Sequence, residues 1–515
     1  MLSQEGKNDK TVLFVSSAVV LLFVFFGAFL PEQMGKVVNV IFSFLTTDFG
    51  WLYLLTVAFF IAFAFGIALS RYGRIKLGKD DDKPEFGNFQ WFAMLFGGGI
   101  GIGLVFWSIA EPLMHYNSPP FGTGGTPEAM RTAMRIVFFH WGIHAWVVFA
   151  IGGLALAYFQ FRKDLPFLIS SAFYPLIGDR IYGPIGKAID ILAVFATVFG
   201  VATSLGLGSS QIATGIQYIW GIPANTMTIS VIIAVMTALF TLATMSGLHS
   251  AMQAVNNIKV WLSIAFMVFI FLFGGTVYIL NTFTHTLGDY IQNFVGQTFW
   301  MGNIEWLNGW TIFYWAWWIA WAPFVGQFVA RVSKGRTIRE FIFAVMLLPA
   351  GFSFIWLAIY GGAAFHLDQL SSGAIQAAIQ TDYTTALFAT LKQMPGYILT
   401  APLAIILIIA SFLGAANSAI FVLAMLTSNG NMDPDKKLRS FWGISQGAAT
   451  IIIMLVGGKA ALTILQTVSI ASAFPFMIVM LFMCYSIYKA LREDVATNHL
   501  DMDTEKPSVT NRRRA

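Results

Sequence analysis

Charged residues are scarce in this sequence. Only 11% of its 515 residues are Asp, Glu, Lys or Arg, whereas 57% are hydrophobic. A soluble domain carries roughly 25% charged residues, because water must solvate its surface. The composition therefore excludes a soluble globular protein and predicts a protein embedded in a lipid bilayer.

The sequence also lacks the residue groupings from which many catalytic and metal sites are built. Its one cysteine, Cys484, lies in an apolar run and has no partner for a disulfide or a metal site. There is no HExxH motif, no Ser/His/Asp grouping and no pair of carboxylates within an apolar run. We therefore expect no enzyme activity, no cofactor and no bound metal. The net charge of +5 is modest and does not indicate a nucleic-acid partner.

Long apolar runs dominate the sequence instead. A transmembrane helix needs about 20 apolar residues, and runs that are continuous rather than alternating argue against a barrel. We predict an all-α membrane protein with twelve transmembrane helices, called spans 1 to 12 below. They cover residues 12–30, 51–70, 91–113, 134–160, 188–218, 227–246, 258–280, 309–330, 341–362, 398–426, 440–457 and 462–488.

Basic residues cluster in the loops that follow spans 2, 4, 8 and 10. Lys and Arg mark the cytoplasmic side of a membrane, so we predict that both termini are cytoplasmic and that the protein lies in the inner membrane. The long opposite loops, 282–308 and 363–397, are expected to form short amphipathic helices on the outside. The polar tail from Leu491 is expected to be solvated and partly disordered.

Span 3 contains five glycines in the seven positions from Gly97 to Gly103. Each glycine costs a helix about 1 kcal/mol relative to alanine. Close helix packing explains two or three glycines. Five are better explained by a helix that is broken near the middle of the membrane, where free N–H groups face an anion and free carbonyls face a cation.

Aromatic residues are concentrated in spans 4 and 8. Trp317, Trp318 and Trp321 lie well inside span 8, where an interfacial anchor is not needed. A quaternary ammonium has no N–H group to donate, so aromatic faces are its natural partners. Trp141, Trp146 and Phe149 of span 4 could complete an aromatic box, although any one of them alone is better explained by core or lipid packing.

Two histidines of span 4, His140 and His144, are spaced as i and i+4 without a third ligand in the pattern. We interpret them as packed or hydrogen-bonded side chains. Glu111, at the end of span 3, is not assigned a role. Because no acidic residue lies within the proposed box, the sequence favours a neutral zwitterion over a net cation such as choline.

Four motifs together resemble the betaine–choline–carnitine transporter (BCCT) family, and most closely its glycine betaine branch. They are GIGLVFW at 101–107 followed by Glu111-Pro112, HWGIHAW at 140–146, ATSLGLG at 202–208, and the span 8 run that continues into RVSKGRTIREF at 331–341. The resemblance covers about residues 12–490.

The resemblance implies a LeuT-type fold with two inverted repeats of five helices. The expected segments are 1–90 for the N-terminus and two peripheral helices, 91–285 for the first repeat, 286–308 for an outside amphipathic connection, 309–490 for the second repeat and 491–515 for a cytoplasmic tail. It also implies a homotrimer in contact with membrane lipid.

The resemblance further implies the substrate-binding residues. The ammonium of the substrate is expected among the tryptophans of spans 4 and 8, with Phe149 at the box and Phe324 beside the gate. The carboxylate is expected at the span 3 backbone around Gly99, Ile100 and Gly101. The family often has tyrosine where Phe149 stands, so one hydroxyl is absent here.

A departure from the family pattern concerns sodium. Sodium-coupled members carry Thr-Ser-Ala-Asp-Ser in span 10, where this chain has Gly414-Ala415-Ala416-Asn417-Ser418. Gly414 and Ala415 offer no side-chain oxygen, which a hard cation needs. A sodium-independent exchanger branch carries a basic residue where Lys259 stands, so we predict that Lys259 replaces the sodium ion.

Two alternatives to this prediction stay open. Lys259 could snorkel from the end of span 7 toward the membrane surface. Sodium could also bind elsewhere, with Thr203 and Ser204 as contributors. The sequence does not distinguish glycine betaine from carnitine, choline or a sulfonium analogue, nor exchange from uniport or proton coupling. An ion channel is disfavoured because no filter motif is present.

Overall fold

The structure is a computed structural model that describes residues 10–99, 101–246, 249–458 and 461–504. The regular elements of these residues are helices, apart from one isolated antiparallel bridge between Lys76 and Thr337. Ten helical segments in the described ranges are long and apolar enough to cross a membrane. The all-α prediction is therefore confirmed.

The described residues of the first half of the chain form eleven α-helices. They are α1 (Thr11–Phe29), α2 (Pro31–Leu69), α3 (Asn88–Gly99), α4 (Ile102–Asn117), α5 (Pro127–Trp141), α6 (Ile143–Ala157), α7 (Tyr174–Ile177), α8 (Pro184–Trp220), α9 (Thr226–Ser246), α10 (His249–Phe273) and α11 (Thr276–Thr298). A π-helical turn (Tyr158–Arg162) continues α6, and short 3₁₀ turns cover Arg71–Arg74, Ser170–Phe173 and Gly178–Tyr182.

The second half forms eight more. They are α12 (Ile304–Gly309), α13 (Thr311–Val332), α14 (Ile338–Leu370), α15 (Ala374–Thr381), α16 (Ala386–Lys392), α17 (Tyr397–Leu426), α18 (Lys436–Gly457) and α19 (Ala461–Thr504). A 3₁₀ turn at Tyr383–Thr385 precedes α16. The loops at 282–308 and 363–397 are helical as predicted, since α11, α12, α15 and α16 lie in or across them. The tail differs from its prediction, because α19 continues through Thr504.

Several helix bounds differ from the predictions. The second helix begins at Pro31 rather than at residue 51, because proline fits the first helical turn, where its missing N–H would be unpaired. Span 4 is not continuous. It breaks at Gly142, where an added Cβ would lie 2.6 Å from the Phe354 ring. Span 7 begins at His249 and ends before Gly275, whose φ of +94° favours glycine.

Helix α13 lies at the centre of the fold and packs against α6, α8 and α19. Every residue from Thr311 to Gln327 is buried, including the charge-free run of tryptophans. By contrast, α1 exposes large apolar residues such as Phe14, Leu22 and Phe29. Apolar side chains pointing outward are the pattern of a surface that meets lipid, so α13 is an internal helix and α1 a peripheral one.

Candidate substrate-binding site

An enclosed aromatic cavity lies where α4, α6 and α13 meet. Its walls combine the aromatic side chains of two predicted clusters with backbone from the glycine segment. The lining residues are Gly101, Gly103, Leu104, Trp141, Ala145, Trp146, Phe149, Trp317, Trp318, Trp321, Val325 and Ser353. The structure thus brings together all six aromatic residues that were predicted for the box.

The break at Gly142 arranges the span 4 side of this cavity. Trp141 is the last residue of α5, and Trp146 follows on α6 after the chain has changed direction. The ring of Trp141 lies 4.9 Å from that of Trp318, edge to face. The ring of Phe149 lies 5.4 Å from Trp146 and 6.1 Å from Trp318. The two helices therefore present one contiguous aromatic wall.

The N–H groups of the four central indoles all point to protein acceptors. Trp317 and Trp321 donate to the Gly200 carbonyl at 3.3 and 3.0 Å. Trp318 donates to the His140 carbonyl at 3.0 Å, and Trp141 donates to the Glu111 carboxylate at 2.8 Å.

These bonds fix the orientation of the indoles. Indole is a donor only, so once its N–H is bound, what remains for a ligand is the ring. Such a cavity suits a cation that cannot form hydrogen bonds of its own.

Span 3 is broken as predicted. Helix α3 ends at Gly99, α4 begins at Ile102, and Gly101 between them is extended, with φ −104° and ψ 170°. Ile100 lies outside the described residues. The first N–H groups of α4 have no partner within the helix, and the helix dipole adds positive potential there. The cavity therefore carries positive potential at the end next to its aromatic wall.

Close packing requires glycine at position 103 but not at 101. An added Cβ on Gly103 would lie 2.7 Å from the Trp317 ring and 3.0 Å from the Trp141 ring, whereas on Gly101 it would meet Trp321 at an ordinary 3.8 Å. The extended backbone of Gly101 is also open to other residues. The indoles thus sit directly on the α4 backbone at Gly103.

The aromatic cavity is narrow, with a volume of about 40 Å³. That space holds only a few waters, so the rings must separate to admit a trimethylammonium group. Beyond it lies a larger cavity of about 630 Å³, lined by Phe324, Gln327 and Arg331 among others. Phe324 does not line the aromatic cavity itself. Its ring packs 4.9 Å from Trp321, so it separates the two spaces.

Lys259 reaches the end of the broken helix. It lies ten residues inside α10, is 8% exposed, and donates from Nζ to the Gly97 carbonyl at 3.1 Å. That carbonyl belongs to the last turn of α3, where carbonyls lack helical partners. Gly414 packs against the same helix, since an added Cβ would lie 2.8 Å from the Asn256 side-chain oxygen. Ala415 is half-buried beside it. The ammonium points into the protein, which disfavours the snorkelling alternative.

The alternative sodium residues, Thr203 and Ser204, lie on α8. The Thr203 hydroxyl donates to the carbonyls of Phe199 and Leu465 at 3.0 and 3.1 Å, and the Ser204 hydroxyl lies 3.5 Å from the Gly200 carbonyl. Both residues are buried. Their side chains take part in helix packing between α8 and α19, and the described residues around them show no carboxylate contact.

A buried polar cluster behind Trp141 was missed by the sequence analysis. The carboxylate of Glu111 accepts from Trp141 and from the Tyr314 hydroxyl at 2.8 and 2.5 Å, and lies 2.6 Å from His140 Nδ1 and 3.3 Å from His115 Nε2. The sequence interpretation of His140 as a hydrogen-bonded side chain is confirmed. No acidic residue is among the lining residues of the cavity, but Glu111 contacts one of its indoles from behind.

The same cluster has the composition of a metal site, because ligand atoms of Glu111, His115 and His140 lie within 4.8 Å of one another. The distance of 2.6 Å between His140 and Glu111 is that of a hydrogen bond. Two ligands at about 2.0 Å from one tetrahedral zinc ion would lie farther apart. The arrangement therefore suits a hydrogen-bonded network.

Taken together, these features define a class of protein. A helical bundle with lipid-facing apolar side chains surrounds an aromatic cavity at a broken helix. The break leaves free N–H groups at the start of α4 and free carbonyls at the end of α3. Substrate sites at discontinuous helices in the middle of a membrane are typical of secondary transporters.

Comparison with known proteins agrees with this class and names the family. The family model described as BCCT, betaine/carnitine/choline family transporter, matches residues 11–496. The chain belongs to this family and is a multi-pass membrane transporter, not an enzyme.

Similar proteins include the probable glycine betaine transporter of Desulfitobacterium hafniense, 78% identical over 488 residues that cover 95% of this chain and 98% of the relative. The glycine betaine transporter OpuD of Bacillus subtilis is 46% identical, with 95% of each chain covered. The ectoine/hydroxyectoine transporter of Virgibacillus pantothenticus is 41% identical over 94% of this chain and 96% of the relative.

Proposed function

We propose that this transporter takes up glycine betaine through the aromatic cavity between α4, α6 and α13. The observation that carries the proposal is the orientation of the four indoles, whose N–H groups are all bound to protein acceptors. These four indoles then offer their rings and no free N–H to a ligand, which matches a trimethylammonium group. Two relatives named as glycine betaine transporters support the same substrate.

The carboxylate of the substrate is proposed to meet the start of α4. Gly99, Ile100 and Gly101 form the connection, and the free N–H groups of the first turn of α4 provide donors and a favourable dipole. A ligand that bridges both ends must carry both charges. This favours a zwitterion over choline and makes carnitine or a sulfonium zwitterion the nearest alternatives.

Ectoine, for which one relative is named, is a weaker candidate. Its cation carries N–H groups that need acceptors. The side-chain acceptor along the described cavity wall is the Ser353 hydroxyl, so most of the ring wall would leave those N–H groups unpaired, at a cost of about 1–3 kcal/mol for each group left unsatisfied.

Transport is further proposed not to need sodium between α3 and α17. The Lys259 ammonium donates to the Gly97 carbonyl, which could otherwise coordinate a sodium ion. Gly414 and Ala415 offer only backbone oxygens on the opposing helix. A cotransported sodium would contribute about 2.3 kcal/mol per 100 mV of membrane potential. Without it, a zwitterion crosses by exchange, by uniport or with protons.

We propose the following membrane arrangement. The ten apolar segments become twelve spans when the broken pair α3/α4 and the tryptophan-rich α13 are added, since their composition and shorter helices lower their hydropathy. The basic loops place both termini in the cytoplasm and the protein in the inner membrane. We also propose, by resemblance to the family, inverted repeats with the predicted segment bounds and a homotrimer. One of those bounds, between residues 285 and 286, falls inside α11.

Uptake of radiolabelled glycine betaine into proteoliposomes tests the proposal directly. We expect saturable uptake that is competed by excess unlabelled betaine and is equal in sodium and potassium buffers. Empty liposomes and a Trp317→Ala/Trp318→Ala protein are the controls. A reconstituted protein that folds but shows no betaine uptake would reject the substrate assignment, whereas uptake that strictly needs sodium would reject only the role of Lys259.

A further inference from the structure

We propose that Glu111 is a charged positioning residue that sets the selectivity of the aromatic site for the ammonium group of the substrate. The inference rests on the proposed function. Glu111 does not line the cavity, but its carboxylate binds the N–H of Trp141, whose ring does. A negative charge is thereby placed one indole ring behind the substrate cation.

The hydrogen bonds around Glu111 assign it as a carboxylate. The Trp141 N–H can only donate, and the Tyr314 hydroxyl shares the same oxygen, Oε2, so this oxygen accepts twice. The other oxygen, Oε1, faces nitrogens of His140 and His115. When His140 is protonated on Nδ1 and His115 on Nε2, a carboxylate accepts all four bonds.

The histidine next to Glu111 is satisfied in its neutral form. His140 Nε2 lies 2.9 Å from the Thr311 hydroxyl and its Nδ1 lies 2.6 Å from Glu111. If Nδ1 carries the proton, it donates to Glu111 while Nε2 accepts from Thr311. The charge of Glu111 is then not cancelled within the pair. All three side chains are buried, so little water screens that charge.

Two effects of this charge reach the ligand. The carboxylate attracts an ammonium on the far side of the Trp141 ring, and its hydrogen bond to the indole N–H makes the ring face more negative. At an effective dielectric of about 20, an opposite charge one ring away changes affinity by roughly tenfold. The cluster also holds the wall in place, because His140 provides the carbonyl that accepts from Trp318.

Glu111→Gln separates charge from geometry. The amide oxygen can accept from Trp141 and Tyr314, and the amide nitrogen can donate to His140 Nδ1 once the imidazole adopts its other tautomer. The side chain keeps its size and loses only its charge. Thr311→Val is the matched control, because it removes a hydrogen bond from the same buried network and leaves the charge of Glu111 unchanged.

The measurement is competition against radiolabelled glycine betaine by three ligands: betaine itself, choline, and 3,3-dimethylbutyrate, in which carbon replaces the ammonium nitrogen. In Glu111→Gln we expect betaine to bind about three- to tenfold more weakly, choline to lose more, and the carbon isostere to lose nothing. The preference for betaine over the isostere should fall about tenfold. Thr311→Val should change the affinities for all three ligands by the same factor.

An equal loss for all three ligands in Glu111→Gln would overturn the proposal, because it would show that Glu111 only supports the structure. If the carbon isostere does not compete with betaine in either protein, the ratio of the choline affinity to the betaine affinity is compared between the two proteins instead. Should Glu111→Gln not fold, Tyr314→Phe removes a donor that partly neutralises the carboxylate. The preference for the ammonium ligand should then rise, and an unchanged or lower preference would count against the charge. A wild-type protein that binds no betaine would reject the proposed function instead.

Discussion

Replacing Lys259 by methionine is the sharpest test of how this transporter is energised. The substitution keeps an unbranched apolar side chain that is one atom shorter, and it removes the charge. In the structure, Nζ donates to the Gly97 carbonyl at 3.1 Å in a buried position. A hydrogen bond from a charged group contributes about 1.5–3 kcal/mol. If that interaction holds the end of α3 in place for substrate binding, the loss corresponds to roughly ten- to a hundredfold in affinity.

The assay is betaine uptake into proteoliposomes with defined sodium, potassium and membrane potential. Wild-type uptake should be unchanged when potassium replaces sodium and when the potential is varied, unless protons move with the substrate. Lys259→Met should reduce uptake at least tenfold, and Lys259→Arg should retain part of it because the charge remains. The binding affinity of detergent-purified protein, measured by tryptophan fluorescence, separates weak binding from slow transport.

Restoring sodium ligands provides the complementary experiment. Lys259→Met combined with Gly414→Thr and Ala415→Ser should recover part of the uptake at high sodium, whereas Lys259→Met alone should not. The Asn256 side chain must rotate to admit a Cβ at 414, because the added atom would lie 2.8 Å from its oxygen. The reasoning is refuted if wild-type uptake strictly requires sodium, or if Lys259→Met transports as well as the wild type.

Three further predictions follow from the same geometry. Trp318→Leu should weaken betaine binding by about 1–2 kcal/mol, because it removes a ring face but keeps an apolar side chain; unchanged affinity in a binding assay would contradict the aromatic site. Gly103→Ala should lower the stability of the protein by about 1–3 kcal/mol through overpacking and should reduce uptake, whereas Gly101→Ala should be tolerated. If the two variants have the same effect on thermal unfolding and on uptake, the packing argument is contradicted. Glu85→Gln should lower stability at neutral pH by less than about 1 kcal/mol, because the pair with Arg331 is largely exposed. Hydrogen bonds from Arg331 lower the pKa of Glu85, so the pair contributes stability above the ordinary carboxyl range and loses it as pH falls through the lowered pKa. The unfolding curves of the two proteins should therefore converge in acid. A stability difference that persists in acid would exclude the ion pair as its cause.

Local composition was enough to predict several features of this protein. Scarce charge and long apolar runs require a membrane environment, because neither can be satisfied in water. Five glycines in seven residues predicted the break between α3 and α4, since backbone conformation depends on the residues at the break itself. The tryptophans of spans 4 and 8 predicted an aromatic cavity, because residues spaced by one helical turn lie on one face whatever the rest of the fold does.

Tertiary structure decided the features that depend on contacts between distant helices. The break at Gly142 had only a single glycine as its signal, and the Phe354 ring of α14 that leaves no room for a side chain there is distant in sequence. In the sequence, Glu111 is an isolated acid at the end of a helix. In the structure, α5 and α13 bring Trp141 and Tyr314 to its carboxylate. Which helix end receives Lys259 was likewise decided by packing of α10 against α3. A buried charge finds its partners in three dimensions, and the spacing of residues along the chain does not record those partners.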